Sequence, residues 1–467
     1  MGRQTDKKKF NLPTAYTILF SIIIVIGIIT QFIPQVNKAG ISDVVMSPIK
    51  GLKDAIDVSL YVLLMGGFLG VVTKTGALDA GIGSIVKKLN GKEFILIPIL
   101  MFTFSLGGTA FGMSEETLAF YALITATMLA AGFDSLTAVA TILFGAGCGV
   151  LGSTVNPFVV SISIDSLKGV GVEVNQAVVM GIGVALWLSS LLISIYFVMK
   201  HAKKVKENPN ATLLSKEEVK AAKSAFTNSK EETLEFTTKR KIVLALFGLS
   251  FVVMICGVIP WEKFGINIFK HTDFLTGNAL GNWWFSELAT WYTLMAIVIG
   301  VVYGLKEKEI VSAIIEGASE MVGVALIIGI SRGVSVIMSS TGLDVYVLNN
   351  ASHALSGMSP ILFINIAFLI YIGLSFLIPS TSGLASVSMP IFGPLAKSLG
   401  FPSELIISTL GAGCGLVNFI TPTSGVIMGG LAIAKVEYST WVKFASKIII
   451  CIYISSAIIL SIGMMLL

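Results

Sequence analysis

The sequence predicts an all-α polytopic membrane protein, an inverted structural repeat with two re-entrant helical hairpins and two broken transmembrane helices. Three observations carry that expectation. Of 467 residues, 54% are hydrophobic and only 13% charged, with a mean hydropathy of +0.88; a soluble domain carries about 25% charged residues, so lipid is the solvent for most of this surface. Apolar runs long enough to cross a bilayer recur along the chain. A set of short motifs occurs twice, in the same order, at an offset of 265 to 268 residues.

A helix needs about 20 apolar residues to span the hydrocarbon core. Residues 14–34, 57–75, 134–164, 176–200, 241–260, 289–304, 318–339, 404–434 and 441–467 meet or approach that length. The first reads as a retained helix, since no small-residue cleavage site follows it. Arg3, Lys7, Lys8 and Lys9 place the N-terminus in the cytoplasm by the positive-inside rule. Residues 200–241 carry eleven Lys/Arg against six Asp/Glu and read as a cytoplasmic linker, partly helical at best. Four crossings precede it, so both flanks agree on the side. The net charge of +5 follows the same pattern and implies topology signals, with no nucleic-acid partner.

Two regions do not fit simple crossings. Residues 94–131 are apolar on both sides of LGGTAFGMSEET (106–117), and 360–397 are apolar around IPSTSG (378–383). Each arm reaches only part-way across at about 1.5 Å per residue, so both read as hairpins; two full spans joined by a loop are the alternative. Irregular backbone is tolerated at membrane depth only where protein or a water-filled cavity surrounds it. Spans 134–164 and 404–434 contain GAGCGVLGSTVNP (145–157) and GAGCGLVNFITPTSG (411–425). Their Gly and Pro predict unwound middles whose backbone groups face a cavity.

GAGCG at 145–149 and 411–415, Asn156-Pro157 and Thr421-Pro422, TKTGALD (73–79) and SSTGLD (339–344), and GFDS (132–135) and GFPS (400–403) form the repeat. The chain therefore divides into a first repeat over 1–200, a linker over 201–240, an extra crossing at 241–260 and a second repeat over 261–467. One additional crossing starts the second copy from the opposite face. The first hairpin then enters from the cytoplasm and the second from outside, with the C-terminus outside. Lys87, Lys88 and Lys92, with Lys306, Lys308, Lys435, Lys443 and Lys447, agree; Lys38, Lys50 and Lys53 in a predicted outside loop do not. Trp261, Trp283, Trp284 and Trp291 are expected to anchor the outer interface.

Broken helices in inverted repeats present half-helix ends near the midplane. The expected binding set is Thr109, Ser114, Glu115, Glu116 and Thr117 from hairpin one, with Ser153, Thr154 and Asn156 from the first broken span. Ser380, Thr381 and Ser382 from hairpin two, with Asn418, Thr421, Thr423 and Ser424 from the second broken span, complete it. Hydroxyls and amides both donate and accept, which suits a zwitterion or carboxylate. An ionisable group within a membrane is costly and points to function. Glu115 or Glu116 could attract an amine or guanidinium, or carry a proton; neighbours on a helix diverge by about 100°, so one of them faces the cavity. A tip reaching water, or a pair with Arg332, would also account for them. Arg332, in ALIIGISRGVSVIM (325–338), is either a clamp for a substrate carboxylate or the partner of a hairpin carboxylate or Asp134.

These motifs resemble the YfcC-like branch of the C4-dicarboxylate anaerobic carrier family, in the ion transporter superfamily. GGFLGVVTKTGALD (66–79), GGTAFGMSEETLAFY (107–121), both GAGCG segments and IPSTSGLA (378–385) carry the resemblance, which covers nearly the whole chain. It implies a scaffold and a moving transport domain that carries both hairpins, an elevator motion and a homodimer. The same branch includes basic amino-acid exchangers of the arginine/ornithine type. The tips lack the Ser-Asn-Thr motifs of sodium–dicarboxylate carriers, which tells against a sodium–succinate reading.

The expectation is a secondary active transporter in the cytoplasmic membrane, moving a small polar metabolite by alternating access. A basic amino acid, by exchange or ion coupling, is the first reading; a Na+- or H+-coupled C4-dicarboxylate carrier is the alternative. No Walker A loop, zincin helix or nucleophile elbow is present, and His201, His271 and His353 lack zinc-ligand spacing. No enzyme, cofactor or metal is therefore expected beyond a coupling Na+ or H+. Two inequivalent halves also argue against a channel, whose filter is built by oligomer symmetry. Cys148, Cys256, Cys414 and Cys451 lie in apolar stretches, outside any disulfide framework.

Overall fold

The computed structural model describes residues 15–78, 80–81, 93–226, 235–258, 261–378 and 380–467. Expectations that rest on Arg3, Lys7, Lys8, Lys9, Lys87, Lys88 and Lys92 lie outside the described residues. In chain order the helices are α1 (Ala15–Phe32), α2 (Ile41–Asp54), α3 (Ile56–Lys74), α4 (Leu96–Phe111), α5 (Tyr121–Ala130), α6 (Ser135–Gly152), α7 (Ile162–Gly169) and α8 (Gln176–Glu207). Next come α9 (Lys216–Phe226) and α10 (Thr238–Val258). They are followed by α11 (Phe285–Tyr303), α12 (Glu307–Thr341), α13 (Leu343–Leu355), α14 (Pro360–Leu377), α15 (Thr381–Ser398), α16 (Ser403–Val417), α17 (Gly425–Ile433) and α18 (Tyr438–Leu466). Nine helical segments among the described residues are long and apolar enough to cross a membrane. The chain is a multi-pass membrane protein.

α18 shows how one helix meets both protein and lipid. Ile448, Ile452, Ser456 and Leu460 are buried, while Ile450, Ile454, Ile458 and Ile462 are about half exposed. Both sets recur every four residues, so each follows one face of the helix. In water the second set would be a liability; in hydrocarbon it costs nothing.

The duplicated motifs mark equivalent joints. Gly76 follows α3 with φ +64°, and Gly342 follows α12 with φ +71°. Gly132 and Gly400, each three residues before a helix, have φ +83° and +73°. A left-handed backbone is nearly free for glycine and costly for other residues, which explains why glycine stands at both sites in both copies.

The helices pack in two groups. In one, α3 and α12 lie together with α1, α2, α10 and α11 around them; in the other, α4, α5, α6, α7, α8, α14, α15, α16 and α18 form a continuous pack. α13 and α17 bridge to α12. Glycine sets the closest approaches. A Cβ on Gly317 of α12 would lie 2.2 Å from the carbonyl oxygen of Gly66, and one on Gly149 of α6 would lie 2.1 Å from that of Ser105. Backbone blocks any side chain at either crossing.

Both long GAGCG spans are interrupted, as the Gly and Pro content predicts. α6 stops at Gly152, Ser153 turns through φ +28°, and a π turn over Pro157–Ser161 leads into α7. α16 stops at Val417 and α17 restarts at Gly425. The freed backbone groups do not simply face a cavity. Thr154 and Val155 donate their N–H groups to the Thr109 carbonyl at 3.1 and 3.4 Å. The Phe419 and Ile420 carbonyls accept from Trp441 Nε1 and the Tyr438 hydroxyl at 2.7 and 2.6 Å. Each break is thus bonded to a neighbouring helix, and buried polar backbone finds its partner in protein.

The linker is more folded than its composition suggests. α8 continues to Glu207, and α9 docks on α5. The buried Glu218 accepts from Ser215 N at 2.7 Å, from Glu437 N at 2.8 Å and from the Thr440 hydroxyl at 3.1 Å, so α9 holds the start of α18. Asp134 caps α6 through Thr137 N at 2.8 Å, meets His201 Nε2 at 3.0 Å and accepts from the Thr212 hydroxyl at 2.6 Å. Burial alone would raise the Asp134 carboxyl, but His201, Thr137 and Thr212 together outweigh it and hold it below the ordinary carboxylate range. Residues 208–226 therefore strap the start of α6 to the start of α18.

Candidate functional site

The breaks and the hairpin turns meet at one place. Gly112, Ser114 and Glu115 from the α4–α5 turn, Asn156 and Phe158 from the α6 break, Ser380, Thr381 and Ser382 from the start of α15, and Asn418, Thr423 and Ser424 from the α16–α17 break line one cavity. Its volume is about 320 Å³, at the lower end of the ~300–1,000 Å³ typical of small-molecule sites. The opposite wall comes from the other packing group: Asp54, Asp57, Val58, Trp284, Phe285, Ile328, Ser331 and Arg332. The cavity thus lies between the two groups.

Helix ends supply much of its polarity. α15 and α17 begin at the cavity, and Ser380 caps α15 by accepting from Gly383 N at 3.2 Å. N-termini carry partial positive charge and exposed N–H groups, which favour an anionic group. Gly112 caps the C-terminus of α4 and Asn418 that of α16, both on the lining; these C-terminal ends favour a cation. A cavity with both polarities of helix end can hold a molecule with both signs of charge.

Glu115 and Glu116 are separated by their surroundings. Glu115 lies on the cavity wall. Glu116 is 7% exposed and turns back to accept from Ser114 N at 3.0 Å, so it secures the tip while Glu115 faces the space. The Glu116 carboxylate does border a small recess, together with Glu115, Trp283 and Trp284.

Six residues of the expected set do not line the cavity. Thr109 and Thr154 bond each other at 3.1 Å and join hairpin one to the α6 break. Thr117 donates to the Ser114 carbonyl at 2.6 Å, and Thr421 pairs with the cavity residue Thr423 at 2.6 Å. Ser153 donates to the Val150 carbonyl and accepts from Asn156 Nδ2 at 3.0 Å. These five hydrogen bonds, with the Glu116 cap, brace the residues that do face the space. Small hydroxyls near a break serve its backbone as readily as a ligand, and sequence alone does not separate the two.

Arg332 pairs through Nε with Asp54, neither with a hairpin carboxylate nor with Asp134, which is committed to His201 and Thr212. The pair forms because Gly51 brings α2 against Gly329 and Gly333 of α12, where a Cβ on Gly51 would lie 2.2 Å from the Gly333 nitrogen. Asp54 and Asp57 lie outside the expected set: Asp54 falls beside Lys53 in the predicted outside loop, and Asp57 is the first residue of span 57–75. The signal was present: two aspartates three residues apart at the mouth of an apolar run, opposite the one arginine within a span. Trp284 also departs from expectation. It is a cavity wall, 5.0 Å from the Phe158 ring, while Trp283 is buried against Gly257 instead of anchoring an interface.

Residues 37–465 match the family model described as C4-dicarboxylate anaerobic carrier. An uncharacterised protein of Haemophilus influenzae (strain Rd) is 32% identical over 432 residues, covering 92% of this chain and 79% of that one. YfcC of Escherichia coli (strain K12), provisionally named a basic amino acid antiporter, is 28% identical over 419 residues, covering 87% and 77%. Among solved structures, MtrF of Neisseria gonorrhoeae aligns over 98% of this chain and 96% of its own at 17% identity, with a TM-score of 0.43. The YdaH transporter of Alcanivorax borkumensis aligns over 96% and 98% at 13% identity, with a TM-score of 0.46. The match over nearly the full length and the membrane-spanning helices lead to one assignment: the chain belongs to the C4-dicarboxylate anaerobic carrier family, a family of membrane transporters.

Proposed function

We propose that this chain is a secondary active transporter of the cytoplasmic membrane that moves a basic amino acid by alternating access. One observation carries the substrate class: the cavity wall holds three carboxylates, Asp54, Asp57 and Glu115, against the single guanidinium of Arg332. Two negative charges are left unbalanced when all four groups are ionised. A second carboxylate on the ligand would meet repulsion, whereas an amine or guanidinium would be attracted. The N-termini of α15 and α17 and the Arg332 guanidinium are the groups on the lining that favour the α-carboxylate of an amino acid. The provisional name of the related Escherichia coli protein agrees with this reading.

The place of the cavity supports alternating access. Hairpin one, α15 and both breaks belong to or lean on one packing group, and Asp54, Asp57, Trp284 and Arg332 belong to the other. Sliding of the first group past α3 and α12 would carry the hydroxyl-rich half of the site with it, an elevator motion. Inverted repeats, a cytoplasmic N-terminus and linker, an external C-terminus and a homodimer complete the reading. The family description favours the alternative, a Na+- or H+-coupled C4-dicarboxylate carrier, and Arg332 would serve it; the surplus of cavity carboxylates opposes it.

Proteoliposomes loaded with unlabelled arginine test the proposal. Labelled arginine should enter without an imposed ion gradient if transport is exchange, and only with a Na+ or H+ gradient if it is ion-coupled. Saturable uptake of labelled succinate, with no arginine uptake under any gradient, would reject it.

A further inference from the structure

Arg332 and Asp54 form an incomplete pair. A guanidinium carries five N–H donors, and among the described residues Arg332 uses only Nε, toward Asp54. Its two terminal nitrogens have no hydrogen-bond acceptor among the described residues, and both side chains border the cavity, Arg332 at 35% and Asp54 at 51% exposure. Three residues on, Asp57 also borders the cavity, with the Ser286 hydroxyl 3.5 Å from its Oδ1. A bidentate pair would engage a terminal nitrogen as well as Nε. Here the contact to Asp54 is made through Nε.

We infer that Arg332, aimed by Asp54, is a carboxylate-reading subsite that makes the cavity select α-amino acids over the corresponding decarboxylated amines. The inference rests on the proposed basic amino-acid substrate and adds which end of it is read from the α12 side. Two parallel N–H groups match the two oxygens of an α-carboxylate, and Asp54 fixes the plane in which they point. Asp57 and Glu115 remain for the substrate's amino and distal cationic groups. Asp54 is then a positioning residue: it acts on the ligand through Arg332. An amine lacking the carboxylate would find the acidic groups but would leave the terminal nitrogens of Arg332 without an acceptor in a site closed around it, so the same residue that holds one ligand disfavours the other.

The test is isothermal titration of the purified full chain in detergent with arginine and with agmatine, its decarboxylated form. Wild type should bind arginine at least ~30-fold more tightly, in the range of a charge-assisted bidentate contact. Arg332→Gln should erase that ratio by weakening arginine while agmatine binds as well or better. Asp54→Asn should reduce the ratio, and Asp54→Glu should restore part of it, which a general loss of folding would not do. Equal affinity of wild type for the two ligands, or an unchanged ratio in Arg332→Gln, would overturn the subsite. If arginine binding still depends on Glu115 in that event, the substrate class stands and only the subsite falls. Failure of wild type to bind either ligand would overturn both.

Discussion

Adjacent glutamates with opposite roles make a sharp test, because the two substitutions remove the same charge from neighbouring residues. Glu115 borders the cavity, whereas Glu116 is buried and bonded to Ser114 N. A substrate ammonium ~4 Å from the Glu115 carboxylate gains roughly 4 kcal/mol at an effective dielectric of 20. Desolvation of both groups takes back part of that, so Glu115→Gln should cost about 2–3 kcal/mol of binding, or roughly 30- to 150-fold in Kd. In Glu116→Gln the amide oxygen can still accept from Ser114 N. Only the charge assistance is lost, on the order of 1 kcal/mol of stability, and affinity should change by less than about threefold. Isothermal titration with arginine reads the affinities, and thermal unfolding in detergent reads the stabilities. The reasoning is refuted if Glu116→Gln is the variant that loses arginine, or if Glu115→Gln binds normally.

Three further predictions concern the frame around the site. Glu218→Ala strips the acceptor from Ser215 N, Glu437 N and the Thr440 hydroxyl; at about 1–3 kcal/mol per buried unmet donor, it should lower the unfolding temperature and open Lys220 and Lys223 to trypsin, while uncut linker would contradict the strap. Gly149→Ala puts a methyl 2.1 Å from the Ser105 carbonyl, so the α4–α6 crossing must part at a cost of about 1–3 kcal/mol, seen as a lower unfolding temperature; an unchanged value would refute that contact. For Asp134, whose folded carboxyl is held low, the stability gained over Asp134→Asn should be complete above about pH 4. It should disappear only as pH falls through the lower folded value; a difference that instead vanished between pH 7 and 5 would show that the Asp134 charge is not the source.

Much of the architecture was legible because it depends on period and punctuation. Doubled Gly-rich motifs located both helix breaks, and the paired Gly76 and Gly342, Gly132 and Gly400 share a left-handed backbone. The cavity's hydroxyl-rich side was legible for the same reason: Ser380, Thr381, Ser382, Asn418, Thr423 and Ser424 sit at helix ends that the breaks create. What escaped was everything set by long-range packing. Nothing local to residues 41–54 shows that Gly51 nests against Gly333, 282 residues away, and delivers Asp54 to Arg332. The division between Thr154, which staples a break, and Asn156, which faces the cavity, depends on one turn of backbone at Ser153. Buried anchors such as Glu218 looked like solvated linker charges because their partners lie more than 200 residues away.

The central claim is that surplus negative charge in the cavity selects a cationic ligand. Side-by-side equilibrium titration of the purified protein with arginine and with succinate, at matched pH and salt, addresses it directly. Saturable arginine binding with succinate at least ~100-fold weaker, a difference of about 2.8 kcal/mol, is the predicted result; tighter binding of succinate than of arginine would contradict it.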